Sequence, residues 1–353
     1  MQTRRAFVSS MALGVGAFSA GARSWAIGST LASGRTLDAL AARTGRVYGC
    51  AVATGELGNA QFASLLKRES GILVAEYEMK RHALETQPDT YNFAPADTLL
   101  RFANDNGMAF RGHTLVWHKA NPPWLRRALQ SSRREAALTG YIQTVAGRYR
   151  GRVHSWDVVN EALEPEDGRS DNLRETLWLR TFGPSYIAEA FHAARAADPH
   201  ALLVYNDWGC EAGGARNDRF RAATLNFLEK TKARGVPIDA YGMQGHLRAF
   251  GTQVDQRKLR DFLDRLKAIG LRILVTEHEV DDSGPSDAAV RDRAVADTSR
   301  RFLDVVLDNT ATIAVLTWGL SDRFVDPPAP KAALAGYSPR ILPYDSAFTR
   351  KPM

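Results

Sequence analysis

Eight strand-like runs recur along the chain with helical segments between them, and this alternation constrains the fold more than any other feature. The runs are Tyr48 to Ala53, Ile72 to Glu76, Ala109 to Trp117, Val153 to Asn160, Ala201 to Asp207, Ala240 to His246, Arg272 to Glu279 and Ala314 to Gly319. Helical apolar periodicity fills the intervals, for example at Tyr186 to Ala197, Asp218 to Arg234, Leu259 to Ile269 and Ala288 to Leu307. A repeat of roughly 38 residues predicts an α/β fold of the (β/α)8, or TIM-barrel, type in a single domain. The competing architecture, a doubly wound open sheet, would carry a Gly-x-Gly-x-x-Gly turn after an early strand, and none follows one here.

Barrels of this kind do their chemistry where strands end and loops begin. Polar and aromatic residues collect at those ends: Glu76 and Lys80 after the second run, His113, Trp117 and His118 closing the third, Asn160 and Glu161 the fourth. Asn206, Asp207 and Trp208 end the fifth, Gln244 and His246 the sixth, Glu277 and Glu279 the seventh, and Trp318 the eighth. A core has no use for such groups, because burying an unpaired carboxylate or amide is costly. Their concentration predicts a site at one mouth of the barrel.

Two glutamates leave apolar runs for that mouth, Glu161 after Ser155 to Asn160 and Glu277 after Ile273 to Thr276. A facing pair of carboxyl groups is what a retaining glycosidase uses, one as nucleophile and the other as acid and then base. His246 and Glu279 are read as groups that orient the nucleophile, since Glu277 and Glu279 share a strand face by alternation. The rival reading is a metal site made of His246, Glu277, His278 and Glu279. It lacks a ligand spacing such as His-Glu-x-x-His, so no metal is expected.

The chain carries 46 Lys and Arg against 39 Asp and Glu, a net charge of +7 that falls to +4 without Arg4, Arg5 and Arg23. That small, unclustered excess, with no zinc-finger spacing, gives nucleic-acid binding little support beyond the basic charge itself. Residues 1 to 26 have a charged start, an apolar stretch from Met11 to Ala20 and a small-x-small ending at Ser24-Trp25-Ala26. This predicts a cleaved export signal, with Arg4-Arg5 of the twin-arginine type, and delivery to the periplasm or beyond the cell. The apolar stretch is too short to cross a membrane. Residues 27 to 353 are left as one catalytic domain. Cys50 and Cys210 are assigned to the first and fifth strand units, Cys210 just past the end of run five, on opposite sides of a barrel and too far apart for the roughly 5.5 Å Cα separation of a disulfide. Two buried free thiols are expected.

Seven segments in this order resemble glycoside hydrolase family 10, the endo-β-1,4-xylanases: AEYEMK at 75–80, RGHTLVWH at 111–118, WDVVNEAL at 156–163, YNDW at 205–208, YGMQGHL at 241–247, VTEHE at 275–279 and LTWG at 316–319. The resemblance implies a retaining hydrolysis of internal xylan bonds without a cofactor, with Glu161 as acid/base and Glu277 as nucleophile. It further implies that Asn160, His113, Gln244 and His246 surround the sugar at the cleavage point, with His118 nearby, and that Glu76, Lys80, Trp117 and Trp318 line the glycone side. Trp156 and Trp178 are assigned to the core. Several positions depart from the family pattern: Tyr77 for asparagine, Arg81 for tryptophan, Gly245 for serine, Glu279 for aspartate and Asp326 for a second tryptophan. Tyr77 and Asp326 open two rival readings, another β-1,4-glycan or short xylo-oligosaccharides as substrate. The rival of a different class is a sugar-binding barrel with little turnover. The chain ends at Met353, where the resemblance places the start of the barrel's last helix, so the eighth strand is expected without a covering helix and with an exposed apolar patch.

Overall fold

The computed structural model describes residues 36–325 and 338–353. The export segment and Asp326 lie outside the described residues. Eight strands form the barrel: β1 (Val47–Val52), β2 (Ile72–Ala75), β3 (Ala109–Val116), β4 (Ser155–Asn160), β5 (Leu202–Asp207), β6 (Ala240–Met243), β7 (Arg272–Asp281) and β8 (Thr312–Thr317). Each pairs in parallel with the next, and β8 pairs with both β7 and β1, which closes the barrel. The principal helices after β1 to β7 are Ala60–Glu69, Ala94–Asp105, Tyr141–Arg148, Ser185–Ala197, Ala215–Ala233, Gln256–Ala268 and Ala288–Asp308.

Local chemistry explains where the helices begin and which face they bury. The side chains of Asn59, Asp255 and Asp287 accept first-turn N–H groups that would otherwise lack partners. Along Gln256–Ala268 the buried residues are Leu259, Phe262, Leu263 and Leu266, one stripe at helical spacing laid against the strands. Inside the barrel, Val47, Ala51, Ile72, Val74, Ala109, Val204, Ala240, Leu274, Ala314 and Leu316 pack as a separate cluster, the inward set produced by strand alternation. Trp156 and Trp178 are buried in the larger cluster between strands and helices, and Cys50 and Cys210 are free, buried thiols.

The sixth run is shorter than its sequence suggests. It stops at Met243, and Gly245, with φ 82°, turns the chain so that His246–Arg248 forms a separate short strand along the end of β7. A side chain is rarely tolerated at that φ, which gives glycine its place there.

Among the described residues no α-helix follows β8, only a single 3-10 turn at Asp322–Phe324. Ser338–Met353 instead lies back as an irregular strap: Leu342 N–H donates to Asp322 Oδ1 at 2.9 Å, Tyr344 N–H to the Leu320 carbonyl at 3.1 Å, and Arg340 N–H to Asp282 Oδ2 at 3.0 Å. The buried Lys351 ammonium meets Asp322 Oδ2 at 2.6 Å, and Phe348 stacks near Phe62 and Phe324. Of the apolar patch expected beside β1, the described residues show two exposed leucines, Leu40 and Leu307; Val47 and Val315 on the strands are buried.

Candidate active site

A cleft of about 1250 Å³ opens at the carboxyl-terminal ends of the strands, with Glu76, Tyr77, Trp208, His246, Glu279 and Trp318 among its lining residues. Its floor is built by neighbouring strand ends. Glu161 follows β4 directly, and its amide donates to the Asn206 carbonyl oxygen of β5 at 2.9 Å. Its Oε1 accepts from Gln244 Nε2 at 3.2 Å, while Oε2 lies 3.9 Å from both His118 Nε2 and Lys119 Nζ. Burial pushes the His118 imidazole down to about 4, further than the Glu161 charge can raise it, so it is neutral near pH 7.

Glu277 is held more firmly. Its Oε1 accepts from Asn206 Nδ2 at 2.8 Å, its Oε2 lies 3.3 Å from His246 Nε2, and His113 Nδ1 stands 4.0 Å from Oε1. Burial works to raise the carboxyl, but the His246 hydrogen bond, the charges of His113 and His246 and the Asn206 bond outweigh it and hold Glu277 at about 2. Burial also opposes a charged His246, yet bonds to Glu277 and to Glu279, whose Oε1 is 3.0 Å from Nδ1, raise it well above its usual value. The result is a carboxylate kept ionised in a pocket where Glu277 is only 6% exposed.

Strand geometry makes this possible. Asn206 Oδ1 accepts from Thr276 Oγ1 at 2.7 Å and lies 2.3 Å from where a Cβ on Gly242 would stand, so only glycine on β6 lets the Asn206 amide span β5 to β7. Thr276 and Glu277 are consecutive, yet both bond to Asn206. The β7–β8 register shifts between Val275 and His278, a local break in the strict alternation of side chains.

One wall of the site is aromatic around one cation. Lys80 Nζ lies 4.9 Å from the Tyr77 ring and 5.5 Å from the rings of both Trp117 and Trp318. Burial lowers the Lys80 ammonium, while Glu277, Glu76 and Glu161 pull it the other way. Asn160 ties this wall to the floor: with its amide turned end for end, the orientation that satisfies both its oxygen and its nitrogen, the oxygen accepts from Trp117 Nε1 at 3.2 Å and the nitrogen donates to the Asn206 carbonyl at 3.2 Å. A pair of glutamates of unequal environment, one locked as a carboxylate, beside flat rings and forked amides suits a glycosidic bond.

The model of glycosyl hydrolase family 10 matches residues 36–353. The chain belongs to this family. Among family 10 relatives, the endo-1,4-beta-xylanase B of Thermotoga neapolitana is 34% identical over 296 residues, 83% of this chain and 81% of its own length. The endo-1,4-beta-xylanase 5 of Pyricularia oryzae is 32% identical over 321 residues, covering 89% and 76%. The crystal structure of xylanase 10B from Thermotoga petrophila in complex with xylobiose superposes with a TM-score of 0.79 at 30% identity, over 90% of this chain and 94% of that one. Native xylanase 10B from Thermotoga maritima gives 0.78 at 31% identity, over 90% and 95%.

Within this family 10 barrel the expected site residues gather as one constellation, and His278 separates from them. Its Nδ1 lies 2.9 Å from the Gly245 carbonyl and its Nε2 3.0 Å from Ser299 Oγ, toward the helix Ala288–Asp308 and away from Glu277. Of the constellation's other members, Asn206 was placed at a strand end from the sequence but given no role, and Asp157 and Arg111 were not singled out. Asn206 had a signal, a polar residue two places after the inward Val204. Asp157 and Arg111 had a fainter one, opposite charges in apolar runs: Arg111 bonds Asp157 Oδ1, whose Oδ2 lies 2.9 Å from His113 Nδ1 and so fixes that ring beneath the cleft.

Proposed function

We propose that this family 10 chain is a retaining endo-β-1,4-xylanase that cuts internal bonds of xylan by double displacement. Glu277 attacks the anomeric carbon while Glu161 protonates the leaving oxygen, and Glu161 then removes a proton from the water that frees the glycosyl-enzyme. The observation that carries this reading is the asymmetry of the pair. Glu277 is held ionised by Asn206 and His246 and so is ready to attack, whereas Glu161 accepts one hydrogen bond, from the Gln244 amide, with His118 Nε2 and Lys119 Nζ each 3.9 Å from its other oxygen. Relatives named as endo-1,4-beta-xylanases support the substrate class. Lys80, Glu76, Trp117 and Trp318 hold the glycone, while Asn160, His113, Gln244 and His246 hold the sugar being cut. No cofactor takes part. The leader at residues 1–26 supports export, by the twin-arginine route, to the periplasm or the exterior, where the polymer is met. No described helix is long and apolar enough to cross a membrane.

The test is product release from xylan, with carboxymethylcellulose and mannan beside it. A ladder of oligosaccharides early in the reaction on xylan alone is expected. Release mainly from a different β-1,4-glycan, or from xylo-oligosaccharides alone, moves the assignment to a rival that Tyr77, exposed at the glycone wall, favours. Binding without release leaves a sugar-binding barrel.

The ionised nucleophile fixes a pH dependence. A depressed carboxyl is active above its own pKa, so kcat/KM holds as pH falls until the low value of Glu277 is approached. His246→Asn removes one of the groups that depress it. The acid limb of kcat/KM on an aryl xylobioside is expected to move up by about one to three pH units. An unmoved limb removes His246 from this role.

A further inference from the structure

Glu161 leaves β4 with a left-handed backbone, φ 55°, which a residue with a side chain adopts only where its surroundings impose it. The strand side of this turn is fixed by its amide on Asn206. The other side is gripped by Arg174. Its Nε donates to the Glu161 carbonyl oxygen at 3.0 Å, its Nη2 to that of Leu163 at 3.1 Å, and its backbone N–H to that of Ala162 at 2.7 Å. Three successive carbonyls after β4 therefore end on one residue. The guanidinium is braced in turn by Glu164 Oε2, 3.3 Å from Nη1, and by a bridge between Leu163 and Leu173 beside it. Its side chain is 16% exposed.

Water could satisfy each carbonyl singly, but it would not fix their separation. A planar guanidinium fork does, because its donors are rigidly spaced, and a lysine could not span both oxygens in the same way. We infer that Arg174 is a positioning residue for the acid/base: by clamping the carbonyls of Glu161 and Leu163 it holds the turn that aims the Glu161 carboxyl at the leaving oxygen. The inference rests on reading Glu161 as the acid. Arg174 itself carries no proton in the reaction. Its loss is therefore felt where a proton must be delivered and little where none is needed.

The experiment compares Arg174→Gln, Arg174→Lys and Glu161→Ala in the full chain, by kcat/KM on phenyl and 2,4-dinitrophenyl β-xylobiosides. This ratio reports bond cleavage, and the dinitrophenolate departs without protonation. For Arg174→Gln the expected loss is about 10- to 100-fold on the phenyl substrate and under about threefold on the dinitrophenyl one. Arg174→Lys should lose less, in the same order, and it carries the test alone if the glutamine variant does not fold. Equal losses on both substrates, or none, in a folded variant overturn the inference. A split in Glu161→Ala with none in either Arg174 variant sinks the positioning role only; no split in Glu161→Ala sinks the acid reading and this inference with it.

Discussion

Replacing Glu277 by alanine stops turnover on every substrate, activated or not, with kcat lower by on the order of 10⁵ to 10⁶. On the proposed mechanism both steps pass through this carboxylate: it makes the glycosyl-enzyme bond and is the group displaced from it. No neighbour can replace it. Glu279 is bonded to His246 Nδ1 and lies on the far side of that ring, and Asp157 is neutralised by Arg111 beneath His113. The fold should survive, since the variant removes a carboxylate that burial disfavours while Asn206 keeps its bond from Thr276. The measurement is kcat on xylan and on 2,4-dinitrophenyl β-xylobioside, with a melting curve of the same preparation. Stereochemistry then assigns the face: azide entering the vacated space attacks once, so the product is the α-xylobiosyl azide. Residual turnover on the dinitrophenyl substrate within about a hundredfold of the parent would remove Glu277 from the nucleophile's place.

The barrel was legible because its signals are local. Apolar runs at a steady interval need only strand and helix periodicity, and the observed strands begin and end within a few residues of those runs. Helix starts were less so. The apolar stripe of Gln256–Ala268 begins at Leu259, but the helix begins three residues earlier because Asp255 caps it. At the site, residue type and strand-end position were enough to pick out Glu161, Glu277 and His246. Asn206 was visible as a polar strand end, but its role depends on the absence of a side chain at Gly242, a contact between β5 and β6 set by barrel register. Backbone conformation was hidden more deeply. Nothing in WDVVNEAL shows that Glu161 has a positive φ, since local preference argues against it and tertiary hydrogen bonds decide it. The strap at 338–353 was hidden for the same reason: Leu342, Tyr344 and Lys351 find partners only on the folded barrel, at Asp322 and Leu320.

Glu161→Ala should divide substrates by leaving group. With phenyl β-xylobioside, kcat/KM is expected to fall by about 10² to 10⁴, the usual worth of a positioned acid, while 2,4-dinitrophenyl β-xylobioside keeps most of its value. Glu277 is intact in this variant, with Asn206 and His246 still holding it ionised, so attack on the anomeric carbon goes on wherever the departing group needs no proton. The second step suffers instead. Water must add without a base, the glycosyl-enzyme accumulates, and kcat on the dinitrophenyl substrate drops while kcat/KM does not. Azide, which needs no base, then restores kcat and yields the β-azide, because it attacks an intermediate already inverted once. The two variants thus differ in the hand of their azide products as well as in their leaving-group dependence. Equal loss of kcat/KM on both substrates, or an α-azide from the Glu161 variant, would exchange or abolish the roles, and no change of substrate panel could restore them.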